Sequence, residues 1–375
     1  MVRKGTHRRP KAVRLLTATA AVLVAAGVVV GMGAASAKTT NDANSSSQSS
    51  ASATANKKGG NNNGDSNGGN NGDNNNGKAE DPAKAQPPSP NDFVDITKVK
   101  PNQKKQNGAG GSFVTDCGVK ANHQNSDNFI AAPGVLDGAQ HTHDYVGNDS
   151  TDANSTDDSL AAAGTTCKNQ QDKSAYFWPV IRDLTKQGND VNQDGGGADG
   201  NFGQILEPDS VQLKFASGGA DQVTAMPQFL RILFGNAKAV TQNGKNAKDT
   251  WTCTGFEDRL TNKYPLCPQG SKVERIHAFP NCWDGKNTDS ADHRSHIVDA
   301  QNGQCPKGFK AVPQLQVTLT YTVPQGKNFA VDGFPEELHK PQTDHDDFEN
   351  VMSNNLMKQV VDCINNNKQC VNQEQ

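Results

Sequence analysis

Between Gln314 and Val323 the chain alternates without a break, with Leu315, Val317, Leu319 and Tyr321 on one face and polar side chains on the other. A period of two over a full strand length predicts a half-buried antiparallel strand. Val211-Gln212-Leu213-Lys214-Phe215 repeats the pattern, and the aromatic run Ser174-Ala175-Tyr176-Phe177-Trp178-Pro179-Val180, bounded by polar residues, predicts another strand. One stretch has a helical period. Met352, Leu356 and Val360 recur every four residues, and Val361 and Ile364 extend the stripe, so a helix is expected from about Phe348 to Asn365. Asp344, Asp346 and Asp347 stand where its positive N-terminal dipole would favour them, and Asn365-Asn366-Asn367 would end it. The remainder is long loop rich in Gly, Asn and Asp. The expected fold is mainly β: an antiparallel β-sandwich or jelly-roll-like domain with long loops and a C-terminal helix.

These patterns begin only after residue 110. Residues 1–37 read as a secretory signal: a basic start (Arg3, Lys4, Arg8, Arg9, Lys11, Arg14), an apolar run from Leu15 to Val30, and Ala35-Ser36-Ala37 at the cleavage point. An uncleaved membrane anchor is the alternative, but the run is diluted by Ala and Gly. Residues 38–110 form an Asn/Gly/Ser-rich linker, closing in Pro87-Pro88-Ser89-Pro90. It lacks the apolar side chains that offset the entropy of ordering, so disorder is expected. Residues 111–375 are then one disulfide-stapled secreted domain, with no membrane association after signal cleavage.

Charge and cysteine content fit that picture. The chain has 37 basic and 40 acidic residues; six of the basic ones and none of the acids lie in 1–37. Without them the balance is 31 against 40, a net −9. A mildly acidic chain with no basic stripe excludes nucleic acid as the expected partner. The eight cysteines, Cys117, Cys167, Cys253, Cys267, Cys282, Cys305, Cys363 and Cys370, all lie in the predicted domain, and no C-x-x-C occurs. Disulfides are the default in an oxidising compartment. One sequence does not fix connectivity. Neighbour pairing (117–167, 253–267, 282–305, 363–370) makes four local loops and is the expectation.

Five of the nine histidines fall in three short clusters with carboxylates. In His141-Thr142-His143-Asp144, a strand would put both imidazoles on one face, able to grip one ion; two hydrogen-bonded loop histidines are the bland alternative. Asp292-His293-Arg294-Ser295-His296 ends a loop that starts at Cys282-Trp283. There Asp292 could orient an imidazole and Arg294 could hold an anionic substrate group, or the loop's polar groups could simply satisfy its own backbone. In Asp344-His345-Asp346-Asp347 the aspartates are explained as helix caps, and only His345 is not. Together His141, His143, His293, His296 and His345 are candidate ligands for a divalent metal or candidate bases, and Asp144, Asp292 and Asp347 candidate partners. Asp190-Val191-Asn192-Gln193-Asp194-Gly195, with Asp199 close behind, matches the first part of a calcium loop, but Asn201 stands where a bidentate Glu is required and Phe202 follows it. An acidic, glycine-rich insertion is the preferred reading there. Within the predicted domain, 111–375, no G-x-S-x-G, P-loop or H-E-x-x-H occurs.

The order of these motifs resembles a secreted, cysteine-containing family of bacterial and fungal proteins known only as a domain of unknown function. The carriers are Pro133-Gly134, His141-x-His143-Asp144-x-x-Gly147-Asn148, Ser150-Thr151-x-Ala153-Asn154, Trp251-x-Cys253, Cys282-Trp283-Asp284-Gly285-x-Asn287-x-Asp289-Ser290-x-Asp292-His293-x-Ser295-His296, Pro313-Gln314-Leu315 and His345-x-Asp347-Phe348. They run from about Asn128 to Cys363. Two departures are that Asp127-Asn128 replaces the family's Asp-Pro, and that Glu349-Asn350-Val351 stands where an aromatic residue is usual. The resemblance implies secretion and a shared polar site. Fungal relatives are often joined to cell-wall or carbohydrate-binding modules, which implies polysaccharide or cell-wall glycan as partner. It supplies no established reaction. The function expected is a carbohydrate-active enzyme or metal site at the cell envelope, with a non-catalytic glycan-binding or structural module as the alternative.

Overall fold

The computed structural model describes residues 87–102 and 110–371. The expected signal, 1–37, and most of the expected linker lie outside the described residues. Within them the protein is mainly β, with nineteen strands and two α-helices.

Two sheets carry the architecture. In the five-stranded sheet the order is 123–125, 143–147, 175–179, 345–350, 230–235; in the six-stranded sheet it is 251–253, 273–278, 314–321, 210–216, 112–115, 369–371. All neighbours are antiparallel except the last strand, 369–371, which pairs in parallel with 112–115. The alternating segment forms Gln314–Tyr321, with Leu315, Val317, Leu319 and Tyr321 buried and the residues between them half-buried. Ala175–Pro179 and Ser210–Ala216 also form where the pattern placed them. The inward residues of both sheets, among them Tyr176, Trp178, Ile232 and Phe348 from one and Phe215, Leu315, Val317 and Leu319 from the other, share one apolar core. This is sheet-on-sheet packing.

Helix Asn354–Asn365 starts later than its periodicity suggested. Ser353 caps it, accepting from the Leu356 N–H at 3.1 Å, and Leu356, Met357, Val360 and Ile364 face the core. The residues expected to begin and cap it form instead the strand His345–Asn350, every residue of which is buried. The strand lies between 175–179 and 230–235, so both its edges are bonded. The aspartates expected as helix caps are buried in this strand instead, because the partners they meet are distant in sequence.

The cysteines pair as neighbours: 117–167, 253–267, 282–305 and 363–370, with no free thiol. Residues 87–102, placed within the expected linker, pack on the domain. Phe93–Asp95 pairs in parallel with Tyr264–Leu266, and Phe93 is buried against Tyr264 and Phe329. Phe93 and Ile96 are apolar anchors at the end of an otherwise polar tract. No helix among the described residues is long and apolar enough to cross a membrane.

Candidate functional site

The five-stranded sheet has a second face, turned away from the sandwich core. Alternation puts His143 and Tyr145, Phe177, and His345, Asp347 and Glu349 on it. A small apolar cluster, including Phe129, Tyr145, Phe177 and Leu233, covers part of this face. The loop before strand 143–147 closes over the rest. That loop is fixed by its own polar groups: the Asp127 carboxylate accepts from the Asp137 and Ala153 N–H groups at 2.8 and 2.9 Å, and Asn128 Oδ1 accepts from the Ile130 and Ala131 N–H groups.

Three imidazoles converge beneath the loop. His141 Nε2 lies 3.1 Å from His345 Nε2, and His143 Nε2 lies 3.3 Å from the same atom. All three rings are buried, and one ligand atom from each falls within 4.8 Å of the others. Two of the three second nitrogens are tied elsewhere, while His141 Nδ1 has no partner among the described residues. His345 Nδ1 is 2.8 Å from the Thr343 carbonyl and His143 Nδ1 3.2 Å from the Asp127 carbonyl. A carbonyl only accepts, so both rings carry their proton on Nδ1 and turn an Nε2 lone pair inward. Burial and mutual proximity hold His141 and His143 well below the usual imidazole range, and burial pulls His345 down to about 4. The rings are therefore neutral, and no shared proton joins His143 to His345.

This donor set fits a metal ion. Two nitrogens about 2.0–2.1 Å from one tetrahedral ion stand about 3.3 Å apart. The carbonyl-held Nδ1 groups are the supports that metal-bound histidines have. Beside the imidazoles is a cavity of about 300 Å³, lined by His141 and His345 together with Asn128, Lys238, Arg294 and Asp347. Asp347 accepts from Asn128 Nδ2 at 2.7 Å, and burial, aided by the charge of Asp346, pushes it up to about 8. Arg294 Nη2 donates to the Gly235 carbonyl at 2.8 Å; no carboxylate stands within ion-pair distance of Arg294 among the described residues. Lys238 Nζ sits 4.1 Å above the Phe334 ring. Lys238 also stands 4.0 Å from Glu336 Oε1, so with neutral imidazoles and a protonated Asp347 the uncancelled positive charge of the cavity is that of Arg294.

The first and third sequence clusters thus meet, through His141, His143, His345 and Asp347. Asp144 does not join them. It points to the opposite face of its strand, accepts from Gln124 Nε2 at 2.6 Å, and is pushed by burial to about 6. Of the second cluster only Arg294 lines the cavity. Asp292 accepts from the N–H groups of Arg294 and Ser295 and from Ser290 Oγ, which holds its carboxyl far below the usual range. His293 pairs with Asp289 at 2.9 Å, and His296 reaches Ser290 Oγ and the Arg231 carbonyl. These are bonds that fix the loop.

Behind the site lies an ionic cluster that sequence reading missed. Asp344 accepts from Arg275 and from His277 at 3.0 Å, while His277 also bonds Asp346 at 2.7 Å. All four are buried between the sheets. Asp344 and Asp346, expected as helix caps, instead neutralise cations from strand 273–278, on the side opposite His345. Asn128 was also missed as a support of Asp347, although it is one of the two departures noted above. In the acidic loop, Asp190 is bound to Arg182 at 2.8 Å, and Asp194 and Asp199 gather with Asp137 rather than with Asp190.

The sequence model of one family, described as "Domain of unknown function (DUF1996)", matches residues 129–351, and the chain belongs to that family. The matched span includes the three histidines, Arg294 and Asp347. No curated protein and no solved structure matches.

Proposed function

We propose that this family member is an exported protein whose His141, His143 and His345 hold one divalent transition-metal ion, and that the centre performs acid–base chemistry on an anionic polysaccharide of the cell envelope. One observation carries the reading: His143 and His345 aim lone pairs at a common point with no proton between them, an arrangement that a cation relieves. Imidazole donors suit zinc, copper, iron or nickel. When bound, such an ion polarises an oxygen of water or substrate. The chain's own residues supply the rest. Asn128 orients Asp347, whose protonated carboxyl can donate to a leaving oxygen. Arg294 offers positive charge to an acidic group of the substrate. Export, with 1–37 as signal and the Asn/Gly/Ser tract as spacer, is supported by the four disulfides.

A non-catalytic glycan module at the cell wall is the second reading, favoured by the internally bonded 282–298 loop. Elemental analysis of the purified chain, reconstituted with zinc, copper or nickel and dialysed, tests the metal. The expected result is one ion per chain in the wild type and none in His345→Ala. Absence of a stoichiometric ion after reconstitution rejects the centre. Release of new chain ends from acidic polysaccharides by the loaded protein, lost in Asp347→Asn, separates the enzyme from the module.

A further inference from the structure

The six-stranded sheet also has an outer face. Because Val273, Arg275 and His277 point into the sandwich, Glu274, Ile276 and Ala278 point out, beside Gln316 and Thr318 of the next strand and Gln212 of the one after. The loop 255–260 and Asp249 form walls, leaving a groove of about 830 Å³. That volume lies within the span of ligand clefts, about 300–1,000 Å³.

Glu274 is the notable residue of this groove. It is only 6% exposed, and its carboxyl has no hydrogen bond or ion pair among the described residues. A buried acid without a partner is destabilising, and here it faces the groove. Burial and the neighbouring Glu257 push it up to about 7. Glu257 and Asp249 line the same groove, and neither is in an ion pair among the described residues. The two cations present are engaged: Arg259 with Asp258 at 2.9 Å and Lys248 with Asp299 at 2.5 Å. The groove therefore keeps a negative excess that its own cations do not cancel. Its floor adds the amides of Gln212 and Gln316 and the Thr318 hydroxyl, which both donate and accept.

We propose that this groove is a second binding site, separate from the histidines, for an amine-bearing oligosaccharide, with Glu274 receiving an ammonium group and Gln212, Gln316 and Thr318 meeting ring hydroxyls. The charge calls for a cation, and the hydroxyl-matching floor calls for a sugar rather than a bare amine.

Titration calorimetry on the full chain tests it with four probes: a glucosamine tetramer, the N-acetylated tetramer, spermine and calcium chloride. The glucosamine tetramer is expected to bind at least about tenfold more tightly than each of the others. Glu274→Gln, which removes a charge and keeps the shape, is expected to weaken that binding by about tenfold or more while metal content stays unchanged. Glu257→Gln and Asp249→Asn, at more exposed positions, are expected to weaken it less, and they carry the test should Glu274→Gln fail to fold. Equal binding of the two tetramers, or no binding of either, overturns the proposal. So does spermine or calcium binding as tightly as the glucosamine tetramer, or a Glu274→Gln protein that binds as the wild type does. Since the binding measurements do not use the histidine site, the two proposals stand or fall separately.

Discussion

Glu349 is a fully buried carboxyl with one oxygen engaged. Its Oε2 accepts from Arg231 Nε at 2.9 Å, while Oε1 has no partner among the described residues. Burial outweighs the arginine and pushes the group up to about 7. The folded protein thus holds this proton over a range in which the unfolded chain, ionising near 4.5, has released it. Stability from this group is fully present below about 4.5 and is lost as pH rises to about 7. Urea denaturation should find Glu349→Gln gaining on the wild type by up to roughly 3 kcal/mol between pH 4.5 and 7.5; a constant difference across that range would contradict the account. The same low-dielectric setting explains Asp344, with the opposite sign. Arg275 and His277 touch it directly, and their charges hold its carboxyl far below the usual range. Both residues are acids in or beside one short segment. What separates them is the partner each meets, Arg231 on the neighbouring strand for Glu349 and Arg275 with His277 from the other sheet for Asp344, which residue type does not disclose.

At the scale of elements, the segment 345–350 shows what periodicity can and cannot decide. Its sequence, His-Asp-Asp-Phe-Glu-Asn, has one apolar residue, so no hydrophobic alternation marks it as a strand. Ladder bonds to both neighbours and cations from strand 273–278 make it one. Helix 354–365 was legible because its apolar stripe needs only a surface to pack on. The start of the folded region was partly hidden for a related reason: Phe93 and Ile96 are two apolar residues at the end of a long polar tract. Because Phe93 fills a site between Tyr264 and Phe329, Phe93→Ala should cost about 3–5 kcal/mol. By the same logic, a chain beginning at Gly111 should melt below one beginning at Pro87. Calorimetric melting of these proteins is the check, and equal melting temperatures would mean that the segment is not part of the cooperative unit.

Across the described residues, four covalent staples accompany a main core between the sheets and a smaller apolar cluster on the outer face of one of them. Each staple closes a loop within its own region, so each mainly restricts the unfolded chain locally, by roughly 2–4 kcal/mol. The pair 282–305 encloses the loop that carries Arg294, which links a fold-stabilising bond to the composition of the cavity. The histidine centre draws its donors from 141–143 and 345, with His141 and His345 204 residues apart along the chain. A bound ion would therefore act as a fifth, long-range crosslink. Chelator should lower the melting temperature of metal-loaded wild type by several degrees, since ligand binding to the folded state alone stabilises it by mass action. His345→Ala should melt at the chelated value with or without added metal. An unchanged wild-type melt would remove this stabilising role.

From the sequence alone came the β-rich class, the neighbour pairing of cysteines, three of the major strands, the C-terminal helix and the histidines worth attention. These follow from local period, composition and short-range loop closure, all of which are properties of neighbouring residues. Tertiary structure alone decided which polar clusters meet. It joined His141 and His143 to His345, brought Arg294 in from a third region, turned Asp292, His293 and His296 to fixing their own loop, and set the buried Glu274 against a groove that no motif announced. The reason is physical: a side chain's burial and partners are set by which strands lie beside and across from its own, and that pairing is written in contacts between segments far apart along the chain.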